Sequence, residues 1–109
     1  MTLNIQSLLQ QAYDEKASDL HVTLGIPPVY RVNGQLKQYG NVSVTAEMIT
    51  QMLKDIVPAY KATEFEEKGE TDFNYALKDL CRFRINAYHQ RNVGAIAARL
   101  ISSEIPTIE

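Results

Sequence analysis

Four arginines stand within the stretch CRFRINAYHQRNVGAIAARL, residues 81 to 100, at positions 82, 84, 91 and 99. A guanidinium is charged at every physiological pH and presents five donors in a planar fork, so arginines gathered on one surface suit phosphate or carboxylate. Other chemistry is thin. His21 and His89 are the only histidines, and with the single Cys81 they make no recognisable metal set, reading instead as a strand histidine and a turn histidine. No Ser/His/Asp arrangement has local support. The phosphate-cradling pattern G-x-x-x-x-G-K-[ST] is absent, because no glycine is followed by lysine, and G-x-G-x-x-G is absent too. By itself the chain carries no visible means of catalysis, and the glutamate-rich EFEEKGE, residues 64 to 70, reads as a solvated helix end.

The strands around the arginines decide where they point. In TDFNYAL the apolar alternation sets Phe73, Tyr75 and Leu77 inward, and in CRFRINAY it sets Cys81, Phe83, Ile85 and Ala87 inward. These faces coincide only if residue 77 lies opposite 81 across a three-residue loop, Lys78-Asp79-Leu80, since a slip of one would bury arginines. The next hairpin is expected to turn through His89, Gln90, Arg91 and Asn92, with Tyr88 opposite Val93. Phe83 then faces Ala98, Ile85 faces Ile96, Cys81 faces Leu100, and Arg82 lies opposite Arg99 with Arg84 one step along. Like charges across a ribbon repel unless something anionic intervenes. Either Asp72 and Asn74 on the neighbouring strand partner solvated arginines, or the arginines await a phosphate or carboxylate from outside. Arg91, at the hairpin tip, reads as a solvated turn residue.

Upstream, Ile5, Leu8, Leu9 and Ala12 recur at the spacing of one helical face, predicting a helix over 4–16 capped by Thr2 or Asn4. SDLHVTL, 18–24, reads as a strand that puts Asp19 and His21 on one face. PPVYRVNGQLKQY, 27–39, reads as a hairpin turning at Asn33-Gly34. Thr45 caps a second helix with the stripe Ile49, Met52, Leu53 and Ile56, and Pro58 and Gly69 bracket a third over 59–68. The sum is one α+β domain, 1–109, with about six mostly antiparallel strands and helices packed on one sheet face. At 109 residues, 45% hydrophobic and 22% charged, the chain can bury one modest core. A net charge of −2 argues against a surface built for polyanions, so any anion site is local and no nucleic-acid partner is expected. The lone Cys81, the lack of a basic-then-apolar leader and the lack of an apolar run near the roughly 20 residues that span a bilayer predict a cytoplasmic protein without a transmembrane segment.

SDLHV, PPVYRVNGQL, TDFNYAL, CRFRINAYHQR and the closing ARLISSEIPTIE occur in order along essentially the whole chain. In this set the sequence resembles the N-terminal domain of the type IV pilus retraction ATPases, the PilT-like twitching-motility motors. The resemblance implies a PAS-like α+β domain preceding a RecA-like ATPase domain, expected after residue 109, which carries the phosphate loop and binds ATP and Mg. It implies a homo-hexameric ring in which this domain packs against the RecA-like domains of its own and neighbouring subunits. It places the ring with the pilus machinery at the inner face of the cytoplasmic membrane. By their place in the motifs, Arg84 and Arg99, with Arg82 a weaker third, resemble fingers reaching the nucleotide phosphates. No cofactor is expected on this stretch alone. Two other classes are weighed against this one. A PAS-like small-ligand sensor needs a polar-lined pocket between helices and sheet, where only apolar residues are aimed. A sheet that binds single-stranded RNA needs outward aromatics, whereas Phe83 points inward and the net charge is negative.

Overall fold

The computed structural model describes residues 4–78, 80–90 and 93–102, including side chains for all of these except 90, 93 and 102. Helix α1 spans Ile5–Asp14, two residues shorter at its end than expected, and Asn4 caps it by accepting from the Ser7 N–H at 3.1 Å. Strands β1 (Asp19–Thr23), β2 (Val29–Val32) and β3 (Gln35–Gln38) follow, with Asn33 at φ 53° and Gly34 at φ 78° turning the β2–β3 hairpin as that dipeptide requires. Helix α2 covers Ala46–Ile56, its Thr45 hydroxyl accepting from Met48 N–H at 3.2 Å. The third helix begins as a 3-10 turn at Ala59–Lys61, continues as α3 over Ala62–Lys68 and ends at Gly69 with φ 77°. Strands β4 (Glu70–Leu77), β5 (Cys81–Gln90) and β6 (Val93–Ser102) complete the chain's described elements.

All six strands pair antiparallel in the order β3-β2-β1-β6-β5-β4, so the seam between β1 and β6 joins the early half of the sequence to the late half. The α1 stripe Ile5, Leu8, Leu9 and Ala12 and the α2 stripe Ile49, Met52, Leu53 and Ile56 are buried in one cluster with the inward residues of the sheet. Cys81, Phe83, Ile85 and Ala87 are each no more than 1% exposed, and Leu77 lies opposite Cys81, so the face assignment and the three-residue turn stand as expected.

The β5–β6 register differs. Pairing continues to Gln90 and Val93, two residues farther than the sequence suggests, and Arg99 consequently faces Arg84 rather than Arg82. Phe83 faces Leu100, Ile85 faces Ala98 and Ala87 faces Ile96. A shift of two leaves every side chain on its original face, so burial cannot oppose it. It also extends the backbone pairing to Gln90 and Val93 and sets Ile85 and Ile96 each across from an alanine. An irregularity between Arg82 and Phe83 carries Arg82 opposite Ser102. His89, expected in the turn, is a β5 residue across from Gly94. Thr2, Asp79, Arg91, Asn92 and the IPTIE segment, on all of which expectations fell, lie outside the described residues.

Candidate functional site

The outer sheet face is built from the residues that the alternation leaves over. On β1, Leu20 and Val22 are buried beneath while Asp19 and His21 face out. Ala95 and Ala97 are the outer residues of β6 next to Arg99. The short side chain of Ala97 leaves a basin of about 410 Å³ walled by Asp19, His21, Asp72, Arg84, Asn86 and Arg99.

Strand pairing places Leu36, Arg31, Asp19, Arg99, Arg84 and Asn74 as successive neighbours in one transverse row across all six strands. Two of those neighbours, Arg99 and Arg84, are like charges directly opposite each other. Such a pair typically costs a few tenths of a kcal/mol to about 1 kcal/mol when nothing anionic is near. Two carboxylates flank it. Asp72, diagonal to Arg84, accepts from its Nη2 at 3.4 Å, and Asp19, directly across from Arg99, accepts from its Nε at 3.2 Å. Asp72 is thus the partner that sequence reasoning offered.

Asp19 is the residue that reasoning missed. Its side chain is only 13% exposed, although it sits among cations that are largely solvated. Ser18 Oγ donates to Asp19 Oδ2 at 2.9 Å, and Arg31 Nε lies 3.7 Å from the same oxygen. Burial pushes this carboxyl's pKa up, but the hydrogen bonds from Ser18 and Arg99 and the nearby positive charge of Arg99 outweigh it and hold the pKa below the ordinary value. The alternation showed Asp19 on the polar face. Only the β1–β6 pairing, which joins residues 80 positions apart, reveals its partner.

The guanidinium groups remain open to a ligand. Arg84 is 68% and Arg99 is 76% exposed, and each uses a single nitrogen in its described contact. Arg82 is exposed on the same strand face and forms no ion pair with any described residue. The arrangement can therefore grip a multivalent oxyanion by charge and by paired N–H donors. It offers neither a nucleophile nor a general base aligned with one. Phe73 and Phe83 lie in the core, so neither ring is offered for base stacking on the outer face. Among the described residues no helix is long and apolar enough to cross a membrane.

No protein-family model matches the chain. Curated relatives do. It is 32% identical over 107 residues to the type IV pilus retraction ATPase PilT of Pseudomonas aeruginosa, covering 98% of this chain and 31% of that protein. The type IV pilus ATPase PilU of the same organism is 28% identical over 107 residues, with 98% and 28% covered. The chain therefore spans about a third of the length of the curated relatives it matches. Among solved structures, that of the pilus retraction motor PilT with bound ADP superposes with a TM-score of 0.81 at 29% identity, over 95% of this chain and 31% of that one. The Legionella pneumophila ATPase DotB shares the fold with a TM-score of 0.76 at 21% identity, over 98% of this chain and 30% of that one. In sequence and in fold, then, the chain is a homologue of the type IV pilus retraction ATPases and matches their N-terminal domain.

Proposed function

We propose that the chain is the N-terminal assembly and regulatory domain of a hexameric motor ATPase that drives type IV pilus retraction, and that Arg84 and Arg99 contact the phosphates of nucleotide held by a RecA-like domain. The observation that carries this reading is the cross-strand placement of two largely solvated guanidiniums on one sheet face. ATP and Mg²⁺ bound in the RecA-like domain supply the phosphoryl chemistry. This chain's part is to donate hydrogen bonds and positive charge to the oxygens on which negative charge builds. Because the donors sit on a separate domain, they reach the phosphates only when the ring closes on them, which couples subunit movement to hydrolysis. Arg82, one step along the same strand, is a third and weaker contact. The setting is the cytoplasm, with the ring docked on the pilus machinery at the inner membrane.

Alanine at Arg84 or at Arg99 in the full-length protein tests this. Arginine fingers elsewhere are worth about 10³ to 10⁵ in rate. We expect ATP turnover to fall by at least roughly tenfold with thermal unfolding almost unchanged, since both side chains are exposed. Turnover equal to wild type in both variants would remove the finger assignment.

A further inference from the structure

Arg99 and Arg84 are held in different ways. Asp19 takes Arg99 by its Nε, the nitrogen nearest the chain, and the two terminal nitrogens, at the exposed end of the side chain, have no hydrogen bond to a described residue. Asp72 takes Arg84 by Nη2, one of the two nitrogens that a bidentate grip needs. Resting on the finger reading above, we propose that Asp19 is a positioning residue: it anchors the guanidinium of Arg99 through Nε so that its terminal fork is presented to phosphate.

Three features fit an anchor better than an incidental surface pair. The carboxylate is held by its short strand-bound side chain and by the Ser18 hydroxyl on Oδ2, neither of which depends on Arg99. Oδ1 and Oδ2 divide the work, with Arg99 on the first and Ser18 and Arg31 on the second. Arg31 thus contacts the oxygen that Arg99 does not use, so the half-buried charge has a second cation beside it at 3.7 Å. A flexible side chain loses rotamer freedom when it grips a ligand, and an anchor at Nε removes part of that freedom beforehand.

The test compares Asp19→Asn, Arg99→Lys and the double variant. Lysine keeps the charge but has no Nε with a fork beyond it, and it replaces an exposed side chain, so the fold is not at stake. In the 109-residue chain, the Arg99 Nε–Hε resonance should exchange slowly with water in the wild type and fast in Asp19→Asn. In the full-length protein, each single variant should lower kcat for ATP by roughly tenfold to a hundredfold, and Asp19→Asn should add little on top of Arg99→Lys. A residue that only stabilised the fold would instead contribute equally in both backgrounds. Fast Nε–Hε exchange in the wild type would overturn the anchor. Should Arg99→Ala impair turnover while Asp19→Asn leaves it at the wild-type level, the positioning role falls and the finger stands; should Arg99→Ala have no effect, the positioning role falls together with the finger role of Arg99, and the Arg84 variant alone decides whether the finger reading survives.

Discussion

Asp19 carries the electrostatics of the outer sheet face because it is the least solvated charge there and serves two arginines. Burial works against its ionisation, and the Ser18 and Arg99 hydrogen bonds together with the Arg99 charge reverse that, so the folded protein holds the proton less tightly than the unfolded chain. The stability that follows has a definite sign. A carboxyl whose folded pKa lies below its unfolded value, about 3.9 for aspartate, contributes fully above that value and loses its contribution as pH falls through the folded pKa. Urea unfolding of the wild type and Asp19→Asn should therefore show a constant gap in favour of the wild type between pH 5 and 8. The gap should close as the pH is taken below about 4. A gap that persisted unchanged well below that pH would mean that packing, not ionisation, is what Asp19 supplies. Exposed arginine pairs such as Arg84–Asp72 are screened by solvent and contribute little to either quantity.

At the scale of elements, the alternation in β4 and β5 and the Thr45 cap of α2 were legible because each is a local pattern with one physical solution, whereas the α1 cap was narrowed only to Thr2 or Asn4. Asn4 and Thr45 satisfy orphan amide groups, and Phe83 and Ile85 have to face away from the arginines. The β5–β6 register was not, and the reason is parity. Hydrophobic alternation specifies register only to the nearest two residues, so Arg82 or Arg84 opposite Arg99 looks the same from the core side. Strand order was equally hidden, and with it the Asp19–Arg99 pair. Gly94 records a constraint of the same non-local kind. A Cβ built there would lie 3.1 and 3.2 Å from the Cγ1 and Cγ2 atoms of Ile49, closer than carbon atoms pack comfortably, so the missing side chain is what lets α2 sit down on β6. Gly94→Ala would gain about 0.4–1 kcal/mol from a stiffer unfolded chain but lose about 1–3 kcal/mol to overpacking, and the loss wins. The expected outcome is a melting temperature lower by about 5 °C in a thermal scan, relieved in the double variant with Ile49→Val.

Across the whole molecule, the transverse row from Leu36 to Asn74 exists only because one sheet contains both halves of the sequence, with β1 and β6 paired at its middle. The arginine cluster and the hydrophobic core are opposite faces of the same β5 and β6 residues, and neither can be disturbed far without the other. Ile85 sits where that dependence is greatest. It is fully buried, with Phe73 across from it on β4 and Ala98 on β6, and its sequence neighbours Arg84 and Asn86 line the basin. Ile85→Asp removes apolar contacts worth about 2–5 kcal/mol and adds a carboxylate among buried apolar side chains. That carboxylate must either ionise in the core or take up a proton and remain short of hydrogen bonds, at a further cost of several kcal/mol. Domains of this kind are stable by about 5–15 kcal/mol, so the sum reaches the whole margin. We expect the variant to lose its far-UV helix signal and its dispersed strand amide resonances together at 25 °C, because α1 and α2 have no other surface on which to bury their stripes. A folded Ile85→Asp with a cooperative transition near that of the wild type would mean that residue 85 faces solvent. The odd-numbered residues of β5 would then be the outer ones, and the arginine face would have to be placed on the side now assigned to the core.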